Sequence, residues 1–66
     1  MNVWVNGERS ETNGATTVAE LAKRLGLEMH SVLIEHNGVA LHQREWVTQS
    51  LGEGDRVEFL RVAAGG

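Results

Sequence analysis

The 66-residue chain has no cysteine and no proline. Without cysteine there is no thiol nucleophile, no cysteine-based zinc site and no disulfide framework, a composition that suits a reducing compartment. A chain this short has room for one small domain that buries about 60% of its unfolded surface, and nothing covalent reinforces it. Long apolar runs are also missing. Met1-Asn2-Val3-Trp4 starts in strand-like alternation, with no basic leader segment, no signal-like stretch and no run of bilayer length. The expected setting is therefore the cytoplasm, away from any membrane. Positive charge is in short supply: Lys and Arg total 6 against 9 Asp and Glu, for a net charge of −3. Such a surface does not track phosphates, which argues against nucleic acid as a ligand and favours basic protein partners.

The 41% of hydrophobic residues is spread along the whole chain and reads as one globular unit. Residues 2–6 alternate polar with apolar, placing Val3 and Val5 on one face, and Asn6-Gly7 is a hairpin turn pair. A polar second strand is expected around residues 9–12. At Thr17 the period changes. Thr17-Val18-Ala19-Glu20 fits a capping box, and Val18, Leu21, Ala22 and Leu25 follow helical spacing to a stop at Gly26-Leu27. A third strand over residues 31–36 carries Val32 and Ile34 on one face and Leu33 and Glu35 on the other, then meets Asn37-Gly38. Val39 to Leu41 pair back briefly, and an irregular stretch holding Trp46 leads to the turn at residues 51–55. In the last strand Val57 and Phe59 alternate with Glu58 and Leu60.

One helix laid on one face of a mixed sheet of four to five strands buries Val3, Val5, Leu21, Leu25, Val32, Ile34, Val57 and Phe59 together. The expected fold is α+β, a ubiquitin-like β-grasp over residues 1–62. Residues 63–66, Ala-Ala-Gly-Gly, form a flexible tail that reaches roughly 13 Å when extended, at about 3.3–3.6 Å per residue. Gly65 and Gly66 put a backbone carboxylate on a lead without side chains, able to enter a narrow active site. The plain alternative is a frayed end.

Other candidate chemistry is weak. His30, His36 and His42 have a spacing that fits neither a helical face nor a zinc pattern, and they read as surface or loop residues. Glu53 and Asp55 lie in a glycine turn with no nucleophile beside them and are expected to shape it. The isolated turn glycines lack the Lys and Ser/Thr of a phosphate-binding loop. Trp4, Leu33, Leu60 and Val62 fall on the sheet face away from the helix, where they either anchor a partner or cover neighbouring strands. Trp46 reads as core or loop packing, and Arg61 lies close enough to the tail to help position it.

Over its whole length the sequence resembles the ThiS-type sulfur carrier proteins of thiamine biosynthesis, within the group that includes the molybdopterin-synthase small subunit. The likeness rests on Val3-Trp4-Val5-Asn6-Gly7, Thr17-Val18-Ala19-Glu20-Leu21, Asn37-Gly38, Trp46, Gly54-Asp55-Arg56-Val57-Glu58 and the final Gly65-Gly66. The chain departs from the pattern at His42-Gln43, where a Pro-Arg pair is common, and at His36, where an aliphatic residue is usual. The resemblance implies a substrate protein rather than an enzyme. An E1-like adenylating enzyme of ThiF type would activate the Gly66 carboxylate with ATP, and sulfur from a persulfide would convert it to a thiocarboxylate. A thiazole synthase of ThiG type would take that sulfur for thiazole formation, and a cysteine desulfurase is a candidate persulfide source. Ala63 and Ala64 would join Trp4, Leu33, Leu60 and Val62 in contacting partners. The chain itself, a monomer when free, would bind no cofactor and no metal. Two alternatives stay open: a related carrier for molybdopterin or tRNA thiolation, and a noncatalytic β-grasp interaction module with incidental terminal glycines.

Overall fold

The computed structural model describes residues 1–62. Its elements follow from local chemistry. Strands β1 (Asn2–Val5) and β2 (Glu8–Glu11) form a hairpin across Asn6 and Gly7, whose φ angles of 49° and 83° are both positive, as a type I′ turn requires. The second strand thus starts one residue earlier than its polar pattern suggests and leaves Thr12 buried beyond its end. Helix α1 (Val18–Arg24) starts at Thr17, whose Oγ1 accepts from the Glu20 N–H at 3.2 Å. Glu20 reaches one residue further back than a simple capping box, accepting from Thr16 N at 2.7 Å and Thr16 Oγ1 at 2.8 Å. At the other end Leu27 N–H donates to Ala22 O and Gly26 N–H to Lys23 O, each at 3.0 Å, with Gly26 at φ 72°. That pair of bonds is the Schellman stop expected at Gly26-Leu27.

After a single 3-10 turn, Met29–Ser31, come β3 (Val32–His36) and β4 (Val39–Leu41), paired across Asn37-Gly38. Residues around Trp46 are not irregular: Gln43–Trp46 form one helical turn, α2, started by a bond from His42 N–H to Glu45 Oε1 at 2.8 Å. The final strand, β5 (Arg56–Arg61), pairs parallel with β1 and antiparallel with β3, giving a five-stranded mixed sheet in the order β2-β1-β5-β3-β4. Parallel neighbours need a long crossover, and α1 lies within it, so the helix comes back across one face of the sheet.

That face holds the core: Val3, Val32, Ile34, Val57 and Phe59 from the sheet, Val18, Leu21 and Ala22 from α1, Trp46 from α2, and Ala15 and Leu51 from the connecting segments. Two residues expected there differ. Leu25 is 44% exposed because it is the C-cap of α1, where the chain has already begun its Schellman turn and the helical face no longer points at the sheet. Val5, at the end of β1, is only half-buried. Trp46 is the largest of the fully buried side chains, at 1% exposure. The segment 47–52 is strapped to the start of α1 by bonds from Val18 N–H to Gln49 O and from Leu51 N–H to Thr16 O. Asn6 ties the β1 turn to β5: its Oδ1 accepts from Phe59 N–H at 2.8 Å, and its Nδ2 donates to Phe59 O at 3.3 Å. Asn37 does the same at the far hairpin, accepting from Arg56 N–H at 2.8 Å. Both turn asparagines thus serve as extra rungs for the central strand.

Candidate functional site

Strand alternation sends every second residue of β1, β3 and β5 to the face not covered by α1. Trp4, Leu33, Leu60 and Val62 are all exposed there, between 44% and 60%. Pairing register decides how they are arranged. Trp4 sits beside Arg56, Glu35 beside Glu58, and Leu33 beside Leu60. Reading along β5 towards residue 62, the surface is therefore aromatic, then acidic, then aliphatic. The four apolar residues expected to share this face do share it, but as two patches divided by a pair of glutamates. Trp4, Gly7, Arg56, Val57 and Glu58 line a shallow hollow of about 210 Å³ at one end. Glu35, Gly38, Arg56 and Glu58 line a second of about 220 Å³ beside it. Gly65 and Gly66, with Ala63 and Ala64, lie outside the described residues, as does the expected tail; the chain leaves the described part at the aliphatic end, where Val62 N–H donates to Ser31 O at 2.9 Å.

At the opposite end of β5, Asp55 organises the turn. Its Oδ2 accepts from Gly52 N–H at 2.8 Å and lies 2.8 Å from His36 Nε2, while Oδ1 accepts from Asn37 Nδ2 at 3.3 Å. Burial penalises the carboxylate, but the His36, Gly52 and Asn37 bonds outweigh it, and the pKa lies below its ordinary value. Glu53 Oε1 accepts from Asn2 N–H at 3.0 Å. Both acids shape the turn, as their glycine context suggests. His36 is not the surface or loop residue its spacing implied. It lies in β3 with its side chain 13% exposed, paired with Asp55, an arrangement that only folding across 19 positions creates. Among the described residues no three or more His, Asp or Glu side chains gather as a metal site. No helix among them is long and apolar enough to cross a membrane.

A mixed five-stranded sheet in this order, with one principal helix on one face and the last strand at its centre, defines a ubiquitin-like β-grasp protein. Two solved structures share the architecture. A crystal structure of the thiamine biosynthesis protein (ThiS) from Geobacter metallireducens superposes with a TM-score of 0.85 at 36% identity, covering 100% of each chain. A solution NMR structure of a thiamine biosynthesis protein from the same organism gives 0.80 at 36% identity, covering 100% of this chain and 88% of that one. A search of curated protein sequences finds no match. The model of the ThiS family matches residues 3–66, and the chain belongs to that family. Its members are small sulfur carrier proteins rather than enzymes.

Proposed function

We propose that the chain carries sulfur for thiamine biosynthesis on the carboxylate of Gly66. The observation that supports this most is the full-length likeness to thiamine biosynthesis proteins at 36% identity, together with a family match that runs through residue 66. Residues 1–62 act as the recognition body and residues 63–66 as the reactive tail. A carboxylate is a poor acyl electrophile. A ThiF-type adenylating enzyme joins a Gly66 oxygen to the α-phosphorus of ATP with loss of pyrophosphate, giving an acyl adenylate with AMP as a good leaving group. The terminal sulfur of a persulfide displaces AMP, and a thiol cleaves the resulting acyl disulfide to leave the thiocarboxylate. This soft, ionised nucleophile then gives its sulfur to a ThiG-type thiazole synthase. Gly65 and Gly66 suit the route because neither carries a Cβ to meet the walls of a channel.

The outward face is the docking surface, with Trp4, Leu33, Leu60 and Val62 in the body and Ala63 and Ala64 leading into the tail. The untagged chain, incubated with the source organism's adenylating enzyme, ATP and a sulfur donor, should gain about 16 Da, the sulfur-for-oxygen difference, by intact mass. No gain would turn the reading to a β-grasp interaction module. A gain followed by no sulfur transfer to thiazole synthase would turn it to a carrier for another acceptor.

A further inference from the structure

We infer that the outward sheet face receives a partner surface carrying a guanidinium or ammonium group between two apolar patches, with Glu35 and Glu58 as the counter-ions of that cation. This rests on the carrier reading and specifies the partner's chemistry. Three observations lead there. Glu35 and Glu58 are directly opposite one another in the β3–β5 register, and like charges so placed destabilise a sheet. Neither carboxylate has an ion pair or side-chain hydrogen bond among the described residues. Arg56 lines the same hollow of about 220 Å³ but is not within ion-pair distance of either acid.

Position strengthens the case. The acidic pair lies between Trp4 beside Arg56 and the Leu33–Leu60 pair, so a partner that covers both apolar patches must also cover the glutamates. Covering two carboxylates without a cation leaves them desolvated and mutually repelling, a cost that works against the gain from apolar contact. A partner cation between them removes the repulsion already present in the free chain and gains charge-assisted hydrogen bonds. The same pair rejects surfaces that offer an acid or an uninterrupted apolar patch, which is specificity by repulsion.

The test measures modification by the adenylating enzyme against carrier concentration for the natural chain, Glu35→Gln, Glu58→Gln and a charge-matched control, Glu8→Gln, which the β1–β2 register pairs with Val5 on the other face. Either face variant should raise KM about tenfold with kcat unchanged, and the control should match the natural chain. Thermal unfolding of both face variants should stay level or rise by roughly 1–4 °C, because each relieves the repulsion. Unchanged KM in both face variants, or an equal rise in the control, overturns the inference. A lowered unfolding temperature in Glu58→Gln also overturns it, since the acid would then be satisfied within the chain, by Arg56. Absence of modification of the natural chain is a different failure and removes the carrier reading itself.

Discussion

The two faces of the sheet are built from the same strands yet treat apolar residues in opposite ways. In β3, Ile34 is 1% exposed and its neighbour Leu33 60%; in β5, Phe59 is 7% and Leu60 46%; in β1, Val3 is 1% and Trp4 44%. Nothing in the residue types separates the members of each pair. The inner set is covered by α1 and Trp46, while no described element covers the outer set. Apolar content alone is therefore a poor guide to what a residue is for. The inner residues contribute to stability through area removed from water; on the proposed reading the outer ones leave that area for a partner to remove.

The largest effect should come from a change that touches neither face. Gly66→Val should lower thiocarboxylate formation at least roughly 100-fold by intact mass, while the far-ultraviolet circular dichroism stays that of the natural chain. Normal yield would separate the tail from the chemistry. Next, Ile34→Ala should cost about 2–5 kcal/mol in chemical denaturation, enough to threaten folding of so short a chain, and Leu33→Ala under about 1 kcal/mol. Equal costs for these adjacent residues would abolish the distinction between faces. Asp55→Asn should cost roughly 1–3 kcal/mol near neutral pH, because it weakens the turn that leads into β5 and its contacts with Gly52 and His36. The folded pKa of Asp55 is lowered, so the unfolded chain takes up the proton first as pH falls. Its contribution is complete above the ordinary carboxylate range and is lost as pH drops through the lower, folded value. The stability of Asp55→Asn should accordingly fall less steeply on acidification than that of the natural chain; parallel curves would remove the carboxylate from the account. The smallest expected change is in Trp4→Ala and Leu60→Ala, each raising KM for the adenylating enzyme about tenfold with little change in denaturation midpoint.

Much of the body was legible because its signals are local. The Asn-Gly pairs at residues 6–7 and 37–38 form hairpin turns, since asparagine and glycine tolerate the positive φ that the turn demands at both central positions. Thr17 and Gly26 mark the ends of α1 through bonds to residues within five positions. Period-two alternation assigned Leu33, Glu35, Glu58 and Leu60 to the outward face correctly. Helical spacing failed at Leu25, where it continued past the point at which the cap turned the chain. It also gave no hint of α2, because one turn of helix is too short to show a period. For the site, the sequence offered the outward apolar residues but not the glutamate pair that divides them, nor the His36–Asp55 contact.

The sequence by itself determined the turns, the caps, the faces of the strands and the family to which the chain belongs, because each depends on residue types at fixed short spacing. Only the tertiary structure decided which outward residues are neighbours. Placing Trp4 beside Arg56 takes a parallel pairing across 52 positions, and placing Glu35 beside Glu58 takes an antiparallel one across 23. Such registers are set by the helix, Trp46 and the central strand packing together, where a slip of one residue would exchange the inner and outer faces.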